Sequence, residues 1–260
     1  MKVRVEKSVC VITPTLGNSC LDQSIESVEK QTYGNITHLI VGDGPGTFDA
    51  IINNGRLSYS SAKLLFTFAP YQTGKNGFYG HRIYAAFPHL VDHDYICFLD
   101  DDNWYEPNHV QSLVDKIEEN RLDWAYSLRK VWYDTDENGI KIAEKQFLDH
   151  DCCESIGKWP IYFTQKTDAP AYLVDTSSYC FRREFLIQVC NHWHSGWGGD
   201  RRFLHIITKQ MGHNNYDTTG LFTLNYLLPN MQEAYGGDMG FFRRGNEEVK
   251  QYYGGKYPWE

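Results

Sequence analysis

Four short apolar runs, each ending in small or acidic residues, leave this chain few architectures. Ser8-Val9-Cys10-Val11-Ile12, Thr37 to Val41, Leu64 to Phe68 and Tyr95-Ile96-Cys97-Phe98-Leu99 are continuous rather than alternating. Such strands are buried on both faces, as in a parallel sheet covered by helices. Between the runs, Leu21, Ile25 and Val28 follow helical spacing behind Asn18 or Ser19 as a cap. A short helix is expected around Phe48 to Asn53 and a longer one from about Tyr79 to Leu90. Pro107 suits a first turn, and Val110, Leu113, Val114 and Ile117 form one apolar face behind it. Strand and helix alternating at such short intervals predict, over the first 120 or so residues, a mostly parallel α/β sheet with helices on both faces.

After residue 120 the rhythm changes. Trp124 to Tyr133 and Ile140 to Phe147 flank Asp136-Glu137-Asn138-Gly139, where Asn-Gly favours a hairpin turn. Mixed elements follow, including a helix expected from Asp200 to Gln210, and the approach Met239-Gly240 to Arg243-Arg244 reads as a flap or a surface tail. No composition break separates the halves, so residues 1–260 are expected to form one domain.

With 25 Lys and Arg against 33 Asp and Glu, the 260-residue chain carries a net charge of −8. That balance argues against general binding to nucleic acid or anionic membranes. The apolar runs are too short to span a bilayer, and Met1 to Lys7 has no signal-peptide core, so a cytoplasmic protein is expected. Seven cysteines without a CxxC pair, among them Cys152-Cys153, suit reduced thiols. The 15% aromatic content supplies flat rings for a core or for stacking on sugars and bases.

In open α/β sheets ligands sit beyond the carboxyl ends of the strands. Polar residues collect there: Thr13-Pro14-Thr15 after the first run, Asp43 after the second, Asn76-Gly77 and Arg82 beyond the third, and Asp100-Asp101-Asp102 after the fourth. Gly42-x-Gly44-x-Gly46 lacks the dinucleotide spacing, and Gly74-Lys75 is not a P-loop. Three adjacent carboxylates behind a buried strand repel one another unless a cation offsets them, which points to a metal. In extended geometry Asp100 and Asp102 project to one side and Asp101 to the other, so the pair can hold Mg²⁺ or Mn²⁺. The bland alternative is an acidic turn ahead of a helix. Cys190-x-His192-x-His194 matches no common zinc spacing.

The succession Val11-Ile12-Thr13-Pro14-Thr15, Gln31-Thr32-Tyr33, Leu39-Ile40-Val41-Gly42-Asp43-Gly44 and Phe98-Leu99-Asp100-Asp101-Asp102-Asn103-Trp104 resembles the family-2 glycosyltransferases of the GT-A fold. The resemblance implies a nucleotide-sugar-binding half over residues 1–120 and a smaller, mixed acceptor-binding lobe over 121–260. It implies that Asp43 meets the base or ribose, that Asn76, Gly77 and Arg82 line the nucleotide beside Thr13, Pro14 and Thr15, and that Asp100 to Asp102 hold the ribose side and the metal under the diphosphate. His81 stands where a small residue is common. In Gly196-Trp197-Gly198-Gly199-Asp200-Arg201-Arg202, Asp200 matches the catalytic base, while its place at a helix start also suits an N-cap.

The function expected is inverting, metal-dependent transfer of a sugar from a nucleotide-sugar, with UDP favoured, to a glycan, lipid-linked or protein acceptor. A nucleotidyltransferase would carry a basic loop after the first strand, where Thr13-Pro14-Thr15-Leu16-Gly17 has none. A glycoside hydrolase needs paired carboxylates but no metal. A non-catalytic sugar-binding module would be indifferent to the loss of Asp200.

Overall fold

A computed structural model describes residues 6–52, 64–136, 138–152, 173–228, 237–238 and 240–260. Asn53, Cys153, Met239 and the first five residues, on which sequence expectations fell, lie outside the described residues.

The four apolar runs become β1 (Val9–Thr15), β2 (Ile36–Gly42), β3 (Leu64–Phe68) and β4 (Tyr95–Phe98), all parallel in the order β3-β2-β1-β4. β1, β2 and β4 are buried on both faces, their side chains alternating between two cores, whereas β3 at the sheet edge is only half-buried and exposes Leu65, contrary to the reading of its run as buried on both faces. Val9 and Val11 of β1, with Tyr95 and Cys97 of β4, pack beneath α1 (Leu21–Glu29) and α4 (His109–Asn120). Cys10, Ile12, Ile96 and Phe98 pack on the other side, under α3 (His81–Ala86), α5 (Arg183–Val189) and α6 (Gly199–His205). The short helix α2 (Thr47–Ile52) adds Ile51 to a smaller cluster with Leu21, Ile25 and Ile40.

Beyond β4 the sheet turns mixed. It continues through β8 (Tyr179–Arg182), β6 (Trp124–Thr135), β9 (Tyr216–Leu228) and the two-residue β5 (Trp104–Tyr105), with β7 (Lys141–Asp151) on β6. β8 runs antiparallel to both β4 and β6, and β6 runs parallel to β9. The expected hairpin is the β6–β7 pair, whose turn Asp136 closes by accepting from the Asn138 and Ile140 amides.

Three elements depart from their sequence reading. The helix expected over Tyr79 to Leu90 is shorter, because Tyr79 takes φ 50° in the preceding turn and the chain tightens into a 3₁₀ turn at Phe87–His89. Neither Asn18 nor Ser19 caps α1. Cys20 holds the N-cap position without a side-chain bond, and Asn18 Oδ1 accepts instead from the Cys20 amide. The C-terminal stretch is a helix, α7 (Phe241–Tyr252), whose Phe242 and Val249 are buried against Val131 and Leu228. Arg243 pairs with Asp149 and Arg244 with Asp238. Among the described residues, no helix is long and apolar enough to cross a membrane.

Aromatic residues go first to the core. Trp193 stacks on Phe203 of α6 at 4.4 Å, and Tyr84 of α3 lies 4.5 Å from Phe98 of β4. Each such ring, once buried, contributes roughly 1.5–3 kcal/mol, so α3 and α6 are pinned to the sheet beside the polar ends of the strands.

Two buried histidines carry a pH signature. His38 of β2 bonds Thr13 Oγ1 at 2.9 Å, and His109 of α4 bonds Thr223 Oγ1 at 2.9 Å, while burial pushes each imidazole down to about 3. An unfolded histidine titrates near 6.5, so between those values the unfolded chain binds the extra proton and acid erodes stability. Buried carboxyls such as Asp100 titrate in the opposite sense over the same range, so a comparison isolates the effect. The His109→Gln protein should gain on the parent by about 1.4 kcal/mol per unit as pH falls from about 6 to about 4. Urea unfolding at three pH values reads this, and a pH-independent difference would rule out a neutral buried His109.

Candidate active site

Beyond the carboxyl ends of β1, β2 and β4 opens a cleft of about 740 Å³. Pro14, Thr15 and Asp43 line its first-half side, and Asp100, Asp101 and Asp102 line it at the end of β4. Asp200 and Arg201 enter from α6, with Arg129, Asp175 and Tyr226 from the second half of the chain. The two carboxylate groups singled out in sequence, 100 residues apart, thus share one cavity.

Asp101 and Asp102 lie in a turn rather than in extended backbone, and Asp100 and Asp101 take different partners. Asp100 Oδ1 accepts from the Tyr84 hydroxyl at 2.6 Å, whereas Asp101 Oδ2 accepts from Thr15 Oγ1 at 2.5 Å. Burial, reinforced by the neighbouring Asp175, pushes the Asp100 carboxyl up to about 7 even though Tyr84 and Ser177 oppose the shift. Burial likewise raises Asp102 well above the usual carboxylate range, with Asp100 and Asp101 adding to it. Without a cation this cluster resists full ionisation, and a divalent ion would relieve it. Among the described residues no three His, Cys, Asp or Glu side chains form a ready cage. The donor set suits a cation held by one or two carboxylates and completed by diphosphate oxygens, the usual manner of Mg²⁺ sites in nucleotide enzymes.

Asp43 organises the adjacent loop. Its Oδ1 accepts from the Thr73 amide at 2.6 Å and the Thr73 hydroxyl at 2.7 Å, and its Oδ2 accepts from the Gly74 amide at 2.8 Å. A Cβ at Gly74 would come within 2.5 Å of the Tyr79 carbonyl, so only glycine allows this closure. Thr13, Asn76, Gly77 and Arg82 are not among the residues lining the cleft. Thr13 turns to His38, Asn76 and Gly77 form the left-handed turn at φ 63° and 77°, and Arg82 stacks on Phe78 while donating to the Thr73 carbonyl at 3.1 Å.

Asp200 lies in the first turn of α6 and is not its N-cap, a position held by Gly198 at φ 75° without a side-chain bond. Its Oδ1 accepts from the Arg201 amide at 2.7 Å. Burial raises its affinity for a proton and Asp175 adds to this, while the Arg201 amide and the cations Arg129 and Arg201 act against it. His81 accounts for the close approach of α6: its ring lies 2.5 Å from where a Cβ of Gly199 would be, and its Nδ1 sits 2.7 Å from the Ser195 carbonyl oxygen.

Of the two tryptophans beside the carboxylates, Trp197 lines the cleft and is 89% exposed, a free ring face at its mouth. Trp104 packs on Trp132 at 5.5 Å and does not line it. Cys190 Sγ lies 3.2 Å from His89 Nε2, and His194 stacks on Phe78. Sequence reasoning missed Arg129, Asp175 and Tyr226. The one signal available was an arginine, followed by Lys130, within the aromatic-rich strand β6.

The sequence profile of glycosyl transferase family 2 matches residues 10–189, and the chain belongs to that family. Its fold is the GT-A fold of the solved glycosyltransferases that it resembles. Among solved structures it resembles S. aureus TarS 1–349 in complex with UDP-GlcNAc, with 13% identity and a TM-score of 0.57 over 88% of this chain and 61% of that one. It also resembles the mannosyltransferase PcManGT of Pyrobaculum calidifontis in complex with GDP-Man and Mn²⁺, with 12% identity and a TM-score of 0.59 over 98% of this chain and 67% of that one. The chain spans about three-fifths of the length of the TarS 1–349 structures it matches. Among curated proteins no significant sequence match is found.

Proposed function

We propose that the domain moves a sugar from a nucleotide-sugar, with UDP as the nucleotide, to a hydroxyl of a glycan, lipid-linked or protein acceptor, inverting the anomeric centre. The observation that carries this reading is the convergence of Asp43, the Asp100–Asp102 group and Asp200 on one cleft. Residues 1–120 supply the donor side, with the nucleotide against Pro14, Thr15 and the loop clamped by Asp43. Residues 121–260 supply the acceptor side. Asp100 and Asp102 would hold Mn²⁺ or Mg²⁺, which supplies charge to offset the leaving diphosphate. Asp101, oriented by Thr15, faces the ribose.

Asp200 takes the proton of the acceptor hydroxyl as its oxygen attacks the anomeric carbon and the bond to the diphosphate breaks. A single displacement of this kind inverts the centre. Trp197 offers its ring face to a sugar at the cleft mouth.

Titration calorimetry of UDP with and without Mn²⁺ tests the reading. Binding strengthened by Mn²⁺ in the parent, with the strengthening lost in Asp102→Asn, is the expected result. Absence of UDP binding by the parent in both conditions would overturn the UDP assignment.

A further inference from the structure

The floor of the cleft is joined to a buried ion-pair network that the transfer step does not itself use. Arg129 is 3% exposed. Its Nε donates to Asp151 Oδ2 at 2.5 Å, its Nη1 donates to Asp175 Oδ2 at 2.6 Å, and its guanidinium lies 4.3 Å over the Tyr226 ring. Asp175 uses its other oxygen to accept from the Ser177 amide at 2.9 Å, capping the 3₁₀ turn Thr176–Ser178. The fully buried Ser177 hydroxyl faces the end of β4. It accepts from the Asp100 amide at 3.0 Å and from Asn103 Nδ2 at 3.2 Å, and it donates to Asp100 Oδ2 at 3.3 Å.

We infer that Arg129, Asp175 and Ser177 form a positioning relay that fixes the direction of the Asp100 carboxylate, with Ser177 as the link between the ion pair and the end of β4. This rests on the nucleotide-sugar reading above. The argument is one of degrees of freedom. Asp100 lies two residues beyond Phe98, the last residue of β4, and past the Leu99 amide's bond to β1, so its amide and carboxylate need partners from elsewhere. One serine hydroxyl meets both, accepting from the amide and donating to Oδ2 while Tyr84 holds Oδ1, and that serine is held by a turn whose cap is anchored to a buried arginine paired with two carboxylates. Partners of this outer kind, though they touch no ion or substrate, typically alter metal affinity 10- to 100-fold when removed.

The same turn provides a matched control. Ser178, next in sequence and equally buried, has a hydroxyl without a hydrogen-bond partner among the described residues. Ser177→Ala and Ser178→Ala therefore remove the same atom from the same turn, and only the first breaks the relay. In Ser177→Ala, the gain in UDP affinity produced by Mn²⁺ should fall about tenfold or more, with metal-free UDP affinity unchanged. In Ser178→Ala both affinities should match the parent.

Amide hydrogen exchange gives a second readout that does not depend on ligand. The Asp100 amide should lose protection in Ser177→Ala alone, while the Leu99 amide, bonded to the Ile12 carbonyl at 3.1 Å, keeps it in both variants. Equal effects of the two substitutions on Asp100 exchange would overturn the relay whatever the protein binds. Absence of Mn²⁺-strengthened UDP binding in the parent would instead overturn the functional reading.

Discussion

Asp200→Asn is expected to lower the rate of sugar transfer by roughly 10²- to 10⁴-fold while leaving UDP affinity within about twofold of the parent. The substitution keeps the shape of the side chain, and an asparagine oxygen still accepts from the Arg201 amide, so the first turn of α6 is preserved. What it removes is the capacity to take a proton from an acceptor hydroxyl. The raised proton affinity of Asp200, set mainly by burial, makes that loss large, because a more basic carboxylate is the better general base so long as it is ionised. On the proposed reading the donor's nucleotide would lie against groups from another part of the chain, around Asp43 and Asp100 to Asp102, so its binding should not register the change. Calorimetry with UDP and Mn²⁺, beside turnover with a screened UDP-sugar and acceptor, separates the two. Loss of UDP binding in Asp200→Asn would show that Asp200 belongs to the donor site and is not the base.

The parallel half of the fold was legible because burial on both faces leaves a continuous apolar run, and each of the four runs became a strand. That Asp43 and Asp100 to Asp102 line a cleft was legible for the related reason that polar residues ending a buried strand must face something other than core. What stayed hidden depends on contacts between distant segments. Nothing around Arg129 announces that its partners lie 22 and 46 residues further on, and Asp175 reads as an ordinary loop residue until β8 inserts antiparallel between β4 and β6. Asn76, Gly77 and Arg82, expected at the nucleotide by resemblance, shape the loop after Thr73 and are not among the residues lining the cleft. In the C-terminal stretch, the glycine-rich approach masked the seven-residue spacing of Phe242 and Val249 that buries one face of α7.

Arg129→Met should destabilise the domain by about 3–5 kcal/mol, since it strands two carboxylates in the interior. Asp151 is fully buried and Asp175 nearly so, and each gives an oxygen to the guanidinium at 2.6 Å or less. The contrast is with Lys30 and Glu26, an exposed pair on α1, where Lys30→Ala should change stability by less than about 0.5 kcal/mol. Against a total stability on the order of 5–15 kcal/mol, the arginine substitution is severe, and urea unfolding with an unchanged m-value would register it as a lower midpoint. The cost of breaking the network is not a measure of its net worth, because well-packed apolar residues at all three positions can be as stable as a buried ion pair. The charges therefore need another reason to be there, and the relay to Asp100 supplies one. An apolar replacement of Arg129, Asp151 and Asp175 together should recover much of the stability lost by Arg129→Met, while the Mn²⁺-dependent gain in UDP affinity stays low. Recovery of both would mean that the network serves stability alone.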